Sequence, residues 1–403
     1  MKLLHDIAVL PPASKKYLLS QFLSAFYCTW PIFILYMMKR FDVFAAGVYY
    51  SALSLTDVIA EIPAGYIADR IGQAKSVLMG AMLNLVFLVL LVSIDSPLMP
   101  LITGIGMGLG TAFISGAADA LIYKNLTHKE YEDTMHHNVT VWQAGLITSA
   151  ILGGLLYKIA PALPFVAQGV LQLVGVLPLL SLRDVFDGGD DKPTIKDAAK
   201  ALRHIFKTKA SLIFLAGSMV YGLVIDLFIN FLLETRMIEL GVSPATRGAV
   251  IGGTKIAILI ALQFLVLRRV NTVGKKLVLT LVMMLTVLPL MGLGNSAWLF
   301  AGMYLLFNLT TALSNAVINP MRQKLVASKY RATELSLYEL MRSAAFAVGS
   351  LVLGQYLSHH MTRGVFFVLS FAALVIALPA LLWSLAHYHG RVRADLEQLG
   401  EAR

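Results

Sequence analysis

Twelve apolar stretches of about twenty residues each follow one another along this chain, and few folds can hold them. A helix rising 1.5 Å per residue needs about 20 residues to cross the hydrocarbon core of a bilayer. In lipid an isolated segment satisfies its own backbone only as a helix. The stretches run approximately over 18–38, 44–68, 76–94, 98–122, 137–157 and 163–182, then 211–233, 247–267, 277–293, 298–325, 333–358 and 364–386. Composition agrees: the 403 residues are 58% hydrophobic and 14% charged, against about 25% charged in soluble domains. The expected fold class is an all-α membrane protein with 12 transmembrane helices.

Charge sets the expected topology. Most of the 33 lysines and arginines fall in the N-terminal tail, the C-terminal tail and alternate loops. The opposite loops hold Lys39, Arg40, Lys158, Arg236, Arg247 and Arg363. Basic residues collect on the cytoplasmic side, so both termini are expected in the cytoplasm of a plasma membrane, the inner membrane of a bacterium. The net charge of +10 then belongs to inner loops and implies no nucleic-acid partner. Glu234 is expected near the outer surface, in water. The single cysteine, Cys28, lies in the first stretch and excludes a disulfide within the chain. That stretch is long and no A-x-A site follows it, so no cleavable leader is expected.

The longest polar interruption, 183–209, separates a six-helix segment at 1–182 from a second at 210–403. Within it Ile195, Ala198, Ala199, Leu202, Ile205 and Phe206 recur at helical spacing among Lys196, Lys200, Arg203 and Lys207. That pattern predicts a short basic amphipathic helix on the inner leaflet. Asn271-Thr272-Val273-Gly274-Lys275-Lys276 stands about 200 residues after Asp69, and Gly354 answers Gly154 at the same offset. The chain therefore reads as an internal repeat.

Ionisable residues inside a bilayer are costly and usually face a cavity or a partner. The third, sixth, ninth and twelfth stretches carry none. The charges of the second, fourth, seventh, eighth and eleventh include Asp57, Glu61, Asp119, Asp226, Lys255, Glu339 and Arg342. Asp57 is about 18 Å along the helix from Asp69, near mid-membrane, and Glu61 is one turn closer to the cytoplasm. Both are candidates to bind and release a proton; the alternative is a structural ion pair with Lys255 or Arg342. Glu339 and Arg342, spaced i,i+3, can pair with each other. Asp226, Lys255 and Arg342 are further candidates for a substrate or proton site. Tyr27 and Trp30 offer it aromatic surfaces. His128, His136 and His137 read as an interfacial cluster; the alternative is a metal or pH-sensing role. No phosphate loop, zinc spacing or nucleophile triad is present, so neither an enzyme nor a cofactor is expected.

The run Gly65-Tyr66-Ile67-Ala68-Asp69-Arg70-Ile71-Gly72-Gln73-Ala74-Lys75 reads as a tight charged turn between two apolar stretches. Its pattern G-x-x-x-D-R-x-G-x-x-K, preceded by Glu61-Ile62-Pro63-Ala64, resembles the loop signature of the major facilitator superfamily. The resemblance implies two pseudo-symmetric six-helix bundles with a substrate path between them. It implies a cavity lined by helices 1, 2, 4, 5, 7, 8, 10 and 11, leaving the four uncharged stretches as outer supports. It also implies a cytoplasmic latch. Gly65 and Gly72 shape the turn, Arg70 and Lys75 pair with Asp119, and Asp69 sits near the start of the eleventh helix, around Thr333.

Gly145-Leu146-Ile147-Thr148-Ser149-Ala150-Ile151-Leu152-Gly153-Gly154 resembles the antiporter signature of drug exporters, with Ser149-Ala150 in place of its Gly-Pro. Gly145, Ser149 and Gly153 at four-residue spacing also make a helix-packing stripe. The expectation is a monomeric secondary transporter in lipid, exporting a small organic or amphipathic compound against protons. The alternatives are an importer or uniporter of a polar metabolite, and a lipid flippase or non-transporting receptor on the same scaffold.

Overall fold

The computed structural model describes residues 2–182, 209–264, 273–325, 331–384 and 386, and among them there is helix and no strand. The linker helix expected at 195–207, Asn271 and Thr272 of the repeat, and the C-terminal tail lie outside the described residues.

In chain order the helices are α1 (Lys2–Val9), α2 (Pro12–Ser24), α3 (Phe33–Arg40), α4 (Val43–Ile71), α5 (Gln73–Ser93), α6 (Met99–Asn125), α7 (His128–Ile159) and α8 (Leu163–Val176). After the central linker come α9 (Lys209–Leu227), α10 (Leu233–Glu239), α11 (Pro244–Phe264), α12 (Val273–Leu293), α13 (Ala297–Leu325), α14 (Arg331–Leu357) and α15 (Arg363–Ala372). π-helical turns follow α9 at Phe228–Leu232 and α15 at Ala373–Ala377.

Nine helical stretches among the described residues are long and apolar enough to span a bilayer. Three more crossings account for the twelve. The first is split between α2 and α3, the eighth is the charged α11, and the ninth is α12, whose apolar described part is Leu281–Leu293.

The split in the first crossing has a local cause. Pro31 has no N–H and biases Trp30 away from the α region, so the helix stops and restarts. The freed backbone finds side-chain partners. The Thr29 N–H and hydroxyl donate to Gln168 Oε1 at 3.2 and 2.7 Å.

The second crossing runs further than its apolar stretch. Asp42 caps α4 by accepting from the Ala45 N–H at 2.6 Å. The helix then continues through Gly65, Asp69 and Arg70 to Ile71. This corrects the turn expected over Gly65–Lys75: the reversal is confined to Gly72, φ 102°, and α5 starts at Gln73. Only glycine adopts that φ without strain.

Four alternating glycines let α6 pack closely on two sides. Methyl groups at Gly104 and Gly108 would lie 2.5 Å from the Tyr49 and Leu53 carbonyls of α4. Gly106 and Gly110 instead face α5, against the Phe87 ring and the Asn84 amide. Residues four apart share one face of a helix, so two interleaved pairs serve two neighbours.

The chain forms two compact units. The first comprises Met1–Gly189, Leu233–Ile256 and Ala347–His360, and the second Asp190–Leu232, Ala257–Phe346 and Met361–Arg403. In the first unit, segments from the latter half of the chain cross its helices at near backbone contact. A methyl on Gly354 would lie 3.0 Å from Gly47 Cα, and one on Gly154 would lie 3.0 Å from Ala245 Cα. In the second unit Phe228 packs against Phe307, with ring centroids 4.1 Å apart, and against Tyr304 and Phe366. The Tyr221 and Ser314 hydroxyls there share a hydrogen bond.

Candidate functional site

The broken first crossing leaves the first N–H groups of α3 without helical partners. Glu234 fills them. Its Oε2 accepts from the Ile34 N–H at 2.8 Å and its Oε1 from the Leu35 N–H at 2.9 Å. Oε1 also takes Arg247 Nη1 at 3.1 Å. Glu234 and Arg247 are 3% and 1% exposed. A carboxylate so buried holds its charge only with a cation and hydrogen-bond donors around it, and here it has both. The water-exposed position expected for Glu234 is thus corrected: the acid sits inside the first unit. Pro31 is the sequence signal for the break, since the residue before a proline is biased away from the helical region. Tyr157 is buried beside the pair, within electrostatic reach of both charges.

The stripe Gly145, Ser149 and Gly153 lies along the same broken crossing. A methyl at Gly145 would come 2.5 Å from the Phe22 carbonyl, Gly153 faces the Cys28 carbonyl, and Ser149 Oγ donates to the Ala25 carbonyl at 3.4 Å. Gly154 turns the other way, to Pro244 and Ala245.

A cavity of about 370 Å³ opens inside the first unit between α2, α5, α6, α7 and α8. Tyr17, Asp119, Asn84, Asn138 and Gln172 supply its polar wall, and Tyr27 and Trp142 its aromatic one. Asp119 accepts from the Tyr17 hydroxyl at 2.9 Å. Tyr27 and Trp142 meet with centroids 6.3 Å apart and planes tilted by 60°.

The other membrane charges fall into separate groups. Asp57 is half-buried and Glu61 exposed, one turn apart on α4. Among the described residues neither makes an ion pair. Lys255 places Nζ 5.0 Å from the centre of the Trp30 ring, a cation–π contact. In the second unit Arg342 bridges two acids. Its Nη1 is 2.5 Å from Asp226 Oδ2 and its Nε 3.0 Å from Glu339 Oε2. The i,i+3 pair of Glu339 and Arg342 is present, and Asp226 joins it from α9. Within the first unit, the ion pair considered for Asp57 and Glu61 with Lys255 is not made among the described residues.

At the inner turn Arg70 stacks on Tyr66, with its guanidinium carbon 4.2 Å from the ring centre, and donates to the Tyr66 hydroxyl. Lys75 is exposed and Gly65 is an ordinary helical residue with open space beside it. Among the described residues Asp119 makes no ion pair with Arg70 or Lys75. The side chains around Thr333 lie outside the described residues. Among the described residues no group of His, Cys, Asp and Glu could hold a metal ion.

A model of the Major Facilitator Superfamily matches residues 18–266. The uncharacterized MFS-type transporter YxaM of Bacillus subtilis (strain 168) is 23% identical over 242 residues, covering 58% of this chain. The chain spans 60% of that relative's length. Among solved structures the nucleoside transporter NupG superposes with TM-score 0.76 at 15% identity, over 92% of this chain and 98% of that one. The POT family transporter PepTSo superposes with TM-score 0.71 at 13% identity, over 94% and 99%. At such identities the likeness shows the fold alone. With its α4–α5 signature and a family match over most of its length, this chain belongs to the major facilitator superfamily.

Proposed function

We propose that this transporter exports a small organic compound across the plasma membrane in exchange for protons, by alternating access, with both termini in the cytoplasm. The observation that carries the coupling is Asp57: a half-buried acid near mid-membrane, without an ionic partner among the described residues, one turn from exposed Glu61. An acid so placed can take a proton from one side and release it to the other.

The Glu234 contacts support the alternation, because a carboxylate that holds the backbone of α3, about 200 residues away, can release and retake it. The opposite state would then close the inner face. In it Arg70 leaves Tyr66 for Asp119, and Gly72 and Lys75 complete the latch. Asp226, Arg342 and Glu339 form a charge group that exchanges partners during the cycle. Lys255 and Trp30 line the path. The stripe at Gly145, Ser149 and Gly153 supports export, since it is the part of α7 that resembles the exporter signature.

A second reading, uptake of a polar metabolite, is favoured by the amides of the first unit's cavity. The transporter NupG, whose fold this chain shares, moves nucleosides by its name. Proteoliposomes with an imposed pH gradient decide between them. Proton-coupled export requires compound-dependent proton flux that Asp57→Asn abolishes at normal expression. Solute movement indifferent to the gradient would overturn it.

A further inference from the structure

We propose that the cavity of the first unit is a binding site for a small aromatic organic cation, an aryl amine or amidine. The reason is the character of its wall. Asp119 is its one charged residue, and no Lys or Arg lines it among the described residues. Three amide oxygens of lining residues, Asn84 Oδ1, Asn138 Oδ1 and Gln172 Oε1, are buried and have no hydrogen-bond partner. Asn84 and Gln172 are each 6% exposed.

Three of the lining donors are engaged within the protein. Gln172 Nε2 donates to the Ser24 carbonyl at 3.2 Å, Thr111 Oγ1 to the Met107 carbonyl at 2.9 Å, and the Tyr17 hydroxyl to Asp119. Three buried acceptors without partners and one carboxylate therefore share a wall that also carries the hydroxyls of Ser20, Ser24 and Ser115. Buried acceptors left unpaired are costly, and a ligand rich in N–H groups satisfies several at once. Tyr27 and Trp142 add an aromatic corner that favours a flat cationic ring. A volume of about 370 Å³ is at the small end for ligand sites, which fits a one-ring solute. With Asp119 and no lining cation among the described residues, the wall favours a cation over an anion. The wall also explains Gly110, which faces the Asn84 amide and leaves no space for a side chain there.

This assignment rests on the transport reading for its physiological purpose, though not for the existence of the site. The test is isothermal titration of the purified full-length protein with benzamidine, benzamide and benzoate. Benzamidine is expected to bind, benzamide more weakly, and benzoate not at all. Asp119→Asn, which keeps an acceptor for Tyr17, is expected to weaken benzamidine about ten-fold or more and benzamide less than about three-fold. Gln172→Met is expected to weaken both.

Benzoate binding as tightly as benzamidine, equal losses of both probes in Asp119→Asn, or no binding to a protein that melts cooperatively would each overturn the site. Proton-coupled transport of other compounds without benzamidine binding removes this site and leaves the transport reading intact. Asp119-dependent binding without gradient-driven movement keeps the site and removes the coupling.

Discussion

The Glu234 carboxylate holds the Arg247 guanidinium at 3.1 Å while capping the restarted helix of the first crossing through Ile34 and Leu35. Neither charge reaches solvent. The pair therefore stabilises one arrangement of the first unit through partners far apart in sequence.

Removing one member of this pair strands the other. Arg247→Met is expected to cost about 3–5 kcal/mol in the state described here, because an uncompensated carboxylate remains buried. The double variant Glu234→Gln with Arg247→Met is expected to recover much of that loss, since no buried charge is left and the amide oxygen still accepts from α3. Thermal unfolding in detergent reads both. A double variant as unstable as the sum of the single ones would show that the two residues do not act together.

The crossing of Gly47 and Gly354 leaves no room for a side chain. A methyl on Gly47 would sit 2.7 Å from the Ser350 carbonyl. Gly354→Leu is expected to cost about 1–3 kcal/mol by overpacking. Its effect should appear as a loss of transport with a lowered melting temperature. Unchanged transport and melting would mean that the helices part without penalty.

Two glycines of the α4–α5 signature are expected to behave oppositely. Gly72→Ala forces a side chain into φ 102° and should destabilise by about 1–2 kcal/mol. Gly65→Ala lies in a helix with nothing within 4 Å of its new methyl. It should be neutral, or stabilising by up to about 1 kcal/mol. Equal destabilisation in melting experiments would contradict the placement of the turn.

Arg342 is shared between Asp226 and Glu339 in a partly exposed setting, with 38% of its side chain accessible. Solvent screening limits what the pair contributes, so Asp226→Asn should change stability by less than about 1 kcal/mol. Transport should fall about ten-fold or more, the consequence of a 1.4 kcal/mol rise in barrier. Transport rates measured at matched protein levels check this. Normal rates would remove Asp226 from the cycle.

Much of the fold was legible because membrane crossing is a length and polarity constraint that each stretch declares locally. Gly104, Gly106, Gly108 and Gly110 stand plainly in the fourth stretch, although their division between two neighbouring helices does not. The Glu234 lock was not legible. An acid near the end of an apolar stretch looks solvated, and its partners are thirteen residues ahead at Arg247 and 200 residues back at Ile34. Pro31 marked the break but not what would fill it. The G-x-x-x-D-R-x-G string did not say which glycine turns the chain, because both suit a reversal and only the start of α5 separates them. The cavity amides Asn84 and Gln172 come from the third and sixth crossings, set aside as supports because they carry no charge.

The most direct test of a breakable lock is thiol labelling at Tyr157→Cys beside Glu234 and Arg247. Cys28 is wholly buried, so it contributes little background. In intact cells a membrane-impermeant maleimide should label this position slowly. Adding Arg247→Met should raise the rate about ten-fold or more, as the fastened state loses at least 1.4 kcal/mol of its advantage. Equal labelling rates with and without Arg247 would contradict the account.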